Sequence, residues 1–323
     1  MFPAEPALLV SALLLDLALG DPRWLPHPVV LIGYLITFLD THLNRITSHK
    51  RAAGIALLLI TASSAGTAAW LLIRAGQALH PLAGFLVSAG IAYTCLATRS
   101  LHRESALVAN ALTSGDIVAA RRSLSYIVGR DTGDLDESEI WRALIETVAE
   151  NTSDGIIAPL FWLTVAGPVG GMVYKAVSTL DSMVGYKSER YLHFGWASAR
   201  MDDLLNFIPA RLTALLMILA APLVGLSPHG ALSVTLSDRL KHPSPNSGHP
   251  EAAAAGAVGV RLGGPASYQG NPSWKEHIGL PLAPLDERAY TGILKLMYLT
   301  TLLMAAACIG GALILGGSLV PHL

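Results

Sequence analysis

Glu146 and Glu150 are four residues apart, and Asp154 follows four residues later. On a helix this spacing sets three carboxylates along one face. Asn151 and Ser153 add neutral oxygens beside them. Clustered carboxylate and carbonyl oxygens suit a hard cation such as Mg2+, which usually keeps bound phosphate or water. A solvated polar face is the plainer reading of the same spacing. Like charges this close repel by a few tenths of a kcal/mol, a cost that a bound cation would offset. Downstream, Lys175, Lys187 and Arg190 could grip phosphate, or simply snorkel from an interfacial loop. Asp181, set among Leu180, Met183 and Val184, could hold metal or orient an amine. Arg200 and Asp203 have the spacing of a structural ion pair. Arg211 stands at the mouth of a charge-free stretch and needs an anionic partner or substrate. Pro209 just before it should kink its helix and free a backbone carbonyl.

Several chemistries find no support. The sequence has no Gly-x-x-x-x-Gly-Lys-Ser/Thr loop, so a nucleotide would not bind in a P-loop. A Gly-x-Ser-x-Gly elbow and a His-Glu-x-x-His motif are absent too. Cys95 and Cys308 sit inside apolar runs and read as packing residues. A net charge of −1 gives no pull toward nucleic acid.

The elements that must position these residues are membrane helices. Only 14% of the residues are charged, against about a quarter in soluble proteins. Charge-free runs cover Ala52–Ile73, Ala75–Thr98, Gly155–Tyr174, Leu212–Ser237 and Leu296–Leu323. Each matches the roughly 20 residues that a helix needs to cross a bilayer. Of the 23 acidic residues, 12 lie between Asp131 and Asp203, crowded around the run at Gly155–Tyr174. Carboxylates are costly to hold against such a segment, which marks the region as functional. Pro6–Leu19 is shorter and carries Asp16, an open candidate. It reads as a span, a re-entrant segment or an interfacial helix in preference to a cleaved signal. The turn from Asp21 to Pro28 carries Trp24 as a membrane-surface anchor.

The expected fold is therefore all-α. It is a polytopic helical membrane protein with five to seven embedded segments, re-entrant ones included, and amphipathic cytoplasmic helices. One membrane domain spans 1–323, with cytoplasmic excursions near 99–154 and 227–293. Basic residues concentrate in 23–51, 99–155 and 238–295, which places those loops inside the cell and the termini outside. Lys175–Leu204 resists this scheme: either one flanking segment is re-entrant, or the loop folds back into the bundle. Within the first excursion, Gly129 should stop one helix. Asp134 and Glu137 should cap the next, which runs from Leu135 to about Asn151. In the second, His242–Asn246 reads as an ordered turn and Ala252–Ala257 as a close-packing helix.

At these residues the chain resembles the adenosylcobinamide-phosphate synthase family of cobalamin biosynthesis, CobD/CbiB. The matching strings begin with Gly20-Asp21-Pro22, His27-Pro28 and Gly129-Arg130-Asp131-Thr132. Glu146 through Gly155, Thr179 through Lys187, and Ser198 through Asp203 continue them. Pro209-Ala-Arg211, His242 through Asn246, Pro250-Glu251 and Gly259 through Gly264 complete the series. Ser178 and His249 depart from the usual pattern.

The resemblance implies a C–N ligase. A carboxylate of the corrinoid adenosylcobyric acid would be joined to the amine of aminopropanol or its phosphate. ATP would activate the carboxylate, and Mg2+ would neutralise the phosphates. In that setting Glu146, Glu150 and Asp154 would carry the metal. Lys175, Lys187, Arg190 and Arg211 would hold phosphate or corrinoid carboxylate, and Asp181 would take the amine proton or ligate a second metal. Arg130, Asp131, Arg200 and Asp203 would line the substrate site, with His242, Asn246, Glu251 and Arg261 closing it. The protein would work in the cell membrane, the inner one where there are two, near its cytoplasmic face. A homo-oligomer or a complex with other enzymes of the pathway fits the same picture. A transporter, or another Mg2+-dependent transferase acting on a phosphate ester, is the rival reading.

Overall fold

The computed structural model describes residues 5–22, 27–46, 49–186, 188–268 and 270–314. Trp24 and Lys187 lie outside the described residues. In chain order the helices are α1 (Pro6–Leu19), α2 (Pro28–Ile46), α3 (Lys50–Leu79), α4 (Pro81–Tyr93), α5 (Thr98–Thr113) and α6 (Ile117–Leu124). Then come α7 (Glu137–Thr152), α8 (Ala158–Val184), α9 (Trp196–Ala220), α10 (Pro228–Asp238) and α11 (Gly248–Val258). Strands β1 (Arg261–Tyr268) and β2 (Asn271–Gly279) precede α12 (Glu287–Ile314). Five helical stretches are long and apolar enough to cross a membrane: Lys50–Leu79, Pro81–Thr113, Glu137–Val184, Trp196–Val224 and Glu287–Ile314. The protein is an all-α polytopic membrane protein that also carries one β-hairpin.

Local chemistry explains the boundaries, and several expectations shift. The capping box of α7 is built by Asp136 and Glu139, two residues later than expected. Asp136 Oδ1 accepts the Glu139 N–H at 2.8 Å, and Glu139 Oε2 accepts the Asp136 N–H at 3.0 Å. Leu135 stays outside the helix, and its carbonyl takes the Arg121 Nε–H at 2.8 Å. Helix α6 stops at Leu124, well before Gly129. The run Leu212–Ser237 is not one span either: Gly225, with φ 75°, ends the turn after α9, and α10 starts afresh at Pro228. Lys175–Leu204 is mostly helical, because α8 continues to Val184 and α9 resumes at Trp196.

The described residues fall into two compact units. The first comprises the described residues within 1–97, 158–206 and 305–314. Here α3 packs on α2, α4 and α8, and α1 on α4. Small residues allow close approach: a Cβ on Gly54 would lie 1.9 Å from the Phe194 carbonyl oxygen. Helix α8 breaks its regularity at Gly167, φ 65°, just before Pro168. Pro209 lacks an N–H for the Leu205 carbonyl. The Trp162 indole supplies one instead, at 3.1 Å.

The second unit comprises 98–157 and 207–304. Helix α7 is its centre and packs on α5, α6, α11 and β1. Most of α7 is buried, including Ile140, Leu144 and Val148. Helices α10 and α11 meet at Gly230 and Gly256, where a Cβ on either would come within 2.3 Å of the other's carbonyl oxygen. The hairpin pairs Arg261 with Gly279 and Tyr268 with Asn271, with an irregularity between Leu262 and Gly264.

Gly54→Ala is expected to destabilise the protein by about 1–3 kcal/mol, the cost of overpacking. Gly90→Ala, with nothing within 4 Å of its Cβ, should be tolerated. Thermal unfolding of both variants in detergent checks the contrast.

Candidate active site

Helix α7 carries three charged side chains at i, i+4 and i+8: Arg142, Glu146 and Glu150. All three turn toward partners from elsewhere in the second unit. Glu146 is 3% exposed. Its Oε2 accepts from Arg130, on the loop before α7, and its Oε1 accepts the Gly263 N–H at 2.7 Å. Arg142 grips the same strand, donating to the Gly263 carbonyl and, at 2.8 Å, to the Pro265 carbonyl. Strand β1 is thus held through its backbone by an acid and a base one helical turn apart. Gly263 and Gly264 have φ of 79° and 90°, a conformation that glycine adopts freely.

One turn on, Glu150 Oε1 accepts from the Ser247 hydroxyl at 2.8 Å. No hydrogen bond to its other oxygen is present among the described residues. Ser247 precedes α11, where Glu251 lies 2% exposed. Glu251 Oε1 sits 3.6 Å from His242 Nε2 and has no hydrogen-bond partner among the described residues. His242 closes the group: its Nδ1 accepts the Ser244 N–H at 3.0 Å, and its Nε2 is 3.2 Å from Lys275 Nζ on β2.

Burial and mutual charge decide the protonation states. Burial, then the neighbouring Glu146 and Glu150 carboxylates, push the Glu251 carboxyl well above its ordinary range. Burial and Lys275 push the His242 imidazole down. Burial opposes charge on Lys275, yet Glu251, Glu150 and Glu146 outweigh it and raise that ammonium. Arg130 behaves alike: burial works against its charge, and Glu146 holds it on.

The structure gathers Arg130, Glu146, Glu150, His242 and Glu251 of the expected site residues, with Asn246 and Arg211 joined by a hydrogen bond of 3.3 Å. Lys275 belongs with them and was missed, because it stands in a polar stretch with no helical or motif pattern around it. The expected metal triplet, Glu146, Glu150 and Asp154, is not brought together as one group among the described residues. Among the described residues no three His, Cys, Asp or Glu side chains are grouped to hold a metal ion. Glu146 is committed to Arg130 and Gly263. The π-turn Ser153–Ile157 breaks the helical spacing before Asp154. Asp131 ties the loop to the hairpin, accepting from the Ser267 hydroxyl at 2.6 Å and the Gly270 N–H at 2.8 Å. Arg261 is exposed at the start of β1.

The remaining expected residues belong to the first unit. Lys175 and Asp181 lie on α8, and Arg200 pairs with Asp203 at 3.5 Å on the surface, as their spacing suggested. Arg190 is held by Asp40 at 2.5 Å, and it lines a cavity of about 310 Å³ with Arg45, Lys50 and His193. A second cavity, of about 250 Å³, follows α5 from Arg99 to Asn110 and shares no residue with the Glu251 group.

Comparison with known proteins shows the family. The family model described as "CobD/Cbib protein" matches residues 9–297. The chain belongs to the CobD/CbiB family. It is 64% identical to "Cobalamin biosynthesis protein CobD" of Pelobacter propionicus, over the whole of both chains. It is 60% identical to the protein of that name from Geobacter metallireducens, covering 90% of this chain and 92% of that one. "Cobalamin biosynthesis protein CbiB" of Salmonella typhi is 43% identical over 95% of this chain and 97% of its own. No solved structure matches.

Two outcomes follow from the buried charges. Arg130→Met should cost about 3–5 kcal/mol by stranding the Glu146 charge, and adding Glu146→Gln should recover much of it. Chemical denaturation of the single and double variants reads this. Glu251 keeps its proton when folded and sheds it when unfolded, so its contribution to stability falls as pH rises above about 4.3. Glu251→Gln should therefore flatten the decline in melting temperature on going from about pH 5 to about pH 8. Parallel curves for the two proteins would mean that Glu251 is charged in the fold.

Proposed function

We propose that the protein acts in cobalamin biosynthesis as an ATP-dependent amide-forming ligase. It would join a carboxylate of adenosylcobyric acid to aminopropanol or its phosphate at the Glu251 group. What carries the reading is a buried to half-buried set of three carboxyl groups and two cations, within a chain whose relatives are named for cobalamin biosynthesis. The reaction needs both charge types. A corrinoid carboxylate and phosphate groups call for cations, and an incoming ammonium calls for carboxylates.

Each side chain has a part it can fill. Lys275 and Arg130 offer positive charge to an anionic substrate group. Glu150, with one oxygen on Ser247 and the other not hydrogen-bonded within the described chain, can receive the amine and take its proton. Glu251, protonated and with an oxygen lacking a hydrogen-bond partner, can orient the amine as donor or acceptor. His242 is kept neutral by burial and Lys275, so it adds no charge that would repel an ammonium.

Mg2+ is usually bound by one or two carboxylates, with phosphate and water completing the shell. Glu150 and Glu251 fit that requirement, and Ser247 adds a hydroxyl. A cation bound there would supply charge neutralisation for phosphate groups. Occupation by any cation would favour loss of the Glu251 proton. The site would serve substrates reaching it in the cell membrane.

The test supplies adenosylcobyric acid, aminopropanol phosphate, ATP and Mg2+ to the purified protein and looks for the amide by mass spectrometry. Glu150→Gln should lower turnover by roughly 100-fold or more while the protein stays folded in detergent. Normal turnover in that variant removes Glu150 from the mechanism. Solute movement in reconstituted vesicles with no amide product would favour the transporter instead.

A further inference from the structure

Two arginines of the second unit, Arg211 and Arg239, have no acidic partner among the described residues. Arg211 Nη1 donates to the Phe207 carbonyl at 2.7 Å and to Asn246 Oδ1 at 3.3 Å, and its guanidinium lies 3.6 Å from the centre of the Phe207 ring. Arg239 donates to the Leu236 carbonyl at 2.5 Å and the Thr235 carbonyl at 3.3 Å. Every one of these acceptors is neutral. The carboxylate nearest in sequence, Asp238, is taken by Lys241 at 2.7 Å and by the Gly279 N–H at 2.8 Å.

The turn before α11 brings the two arginines to one place. Asn246, which accepts from Arg211, also receives the His249 N–H on its carbonyl at 3.0 Å. Gly248 lies against Arg239 so closely that a Cβ there would be 2.4 Å from the Arg239 carbonyl oxygen. His249 is 6% exposed, and its Nε2 has no hydrogen-bond partner among the described residues. Arg211 and Arg239 both lie close enough to act on this ring electrostatically. A buried imidazole with an uncommitted nitrogen near two guanidinium groups suits an anion. The ring can donate from Nε2, and the two forks match phosphate oxygens.

The surroundings suggest where that anion comes from. Leu232, Leu236 and Leu240 recur every fourth residue on and just beyond α10, exposed by 45%, 63% and 72%. Phe207, beneath Arg211, is also half exposed. An apolar helix face flanked by arginines is the pattern of a segment lying at a membrane surface.

We propose that Arg211, Arg239 and His249 form a phosphate seat at the membrane surface, for a lipid head group or for a soluble phosphate ester. The seat does not depend on amide synthesis, since phosphate would bind without ATP or corrinoid. Its test can therefore fail while the ligase reading stands, and the reverse.

The experiment follows inorganic phosphate by phosphorus NMR line broadening, with the full chain in phosphatidylcholine nanodiscs. Saturable broadening is expected from the wild type and from Arg288→Gln, an exposed control. Arg239→Gln and Arg211→Gln should bind roughly tenfold more weakly or worse, with unchanged circular dichroism. Adding phosphatidylglycerol to the discs separates the sources. If it displaces phosphate and is retained by the wild type but not by Arg239→Gln, the occupant is a lipid head group. Phosphate binding that persists in its presence assigns the seat to soluble phosphate. Should Arg239→Lys bind while Arg239→Gln does not, positive charge is what the seat requires. A wild type that shows no phosphate broadening and retains no phosphatidylglycerol would overturn the proposal. Undiminished binding by the Arg211→Gln, Arg239→Gln double variant would overturn it as well.

Discussion

The second unit depends on how the Glu146 charge is met inside the protein. A buried carboxylate without partners would be strongly unfavourable, and a buried ion pair is tolerated only when its remaining hydrogen-bonding capacity is also used. Glu146 satisfies both conditions, with Arg130 on one oxygen and the Gly263 amide on the other. The second contact has a structural consequence. It requires the backbone of β1 to come directly against α7, and Arg142 fixes that approach from one turn below. A side chain on Gly264 would intrude on Arg142, since its Cβ would lie 2.6 Å from Nη1. Glycine at 263 and 264 and charge at 142 and 146 are thus two halves of one requirement. Once β1 is seated, its pairing with β2 carries Lys275 toward His242 and the acids.

This dependence explains which parts of the fold could be read from the sequence. The five spans follow from runs of apolar residues, whose cost of exposure to water is a local property. Helix α11 was equally legible, because its alanines and glycines can serve close packing and little else. The hairpin was not. Its first strand, Arg-Leu-Gly-Gly-Pro-Ala-Ser-Tyr, has neither β-branched residues nor a regular apolar alternation. Its order comes from contacts to α7 more than 110 residues away in sequence. Lys275 was invisible for the same reason. The α7 cap shows a smaller failure: Asp134 and Asp136 each have an acid three residues later, and the long-range contact of Arg121 with the Leu135 carbonyl accompanies the later start.

The basic residues of the first unit teach a related lesson. Composition made Lys175, Lys187 and Arg190 look alike as phosphate ligands. Arg190 instead meets Asp40, a residue 150 positions earlier, and Tyr191 shares that carboxylate at 3.1 Å. A cation already paired to an acid has less to offer an anionic ligand. Arg211 and Arg239 are the opposite case: among the described residues, the oxygens they donate to are neutral. The distinction between the two situations rests on long-range pairing, which spacing along the chain does not encode.

Charge balance within the Glu251 group carries the argument one step further. Arg130 and Lys275 provide two positive charges against three carboxyls, and His242 is held neutral. With Glu251 protonated the account closes at zero, which is the state favoured in a buried setting. Any added positive charge disturbs that balance. The least costly response is departure of the Glu251 proton, because that carboxyl is the one its neighbours least allow to ionise when the site is empty of cations. Metal or ammonium binding would then release a proton and tighten as pH rises. The same property would make an anion arriving alone unwelcome unless its charge came with a cation. A site of this kind favours paired ligands, and an amine with a phosphate, or a metal with a nucleotide, are pairs of that sort.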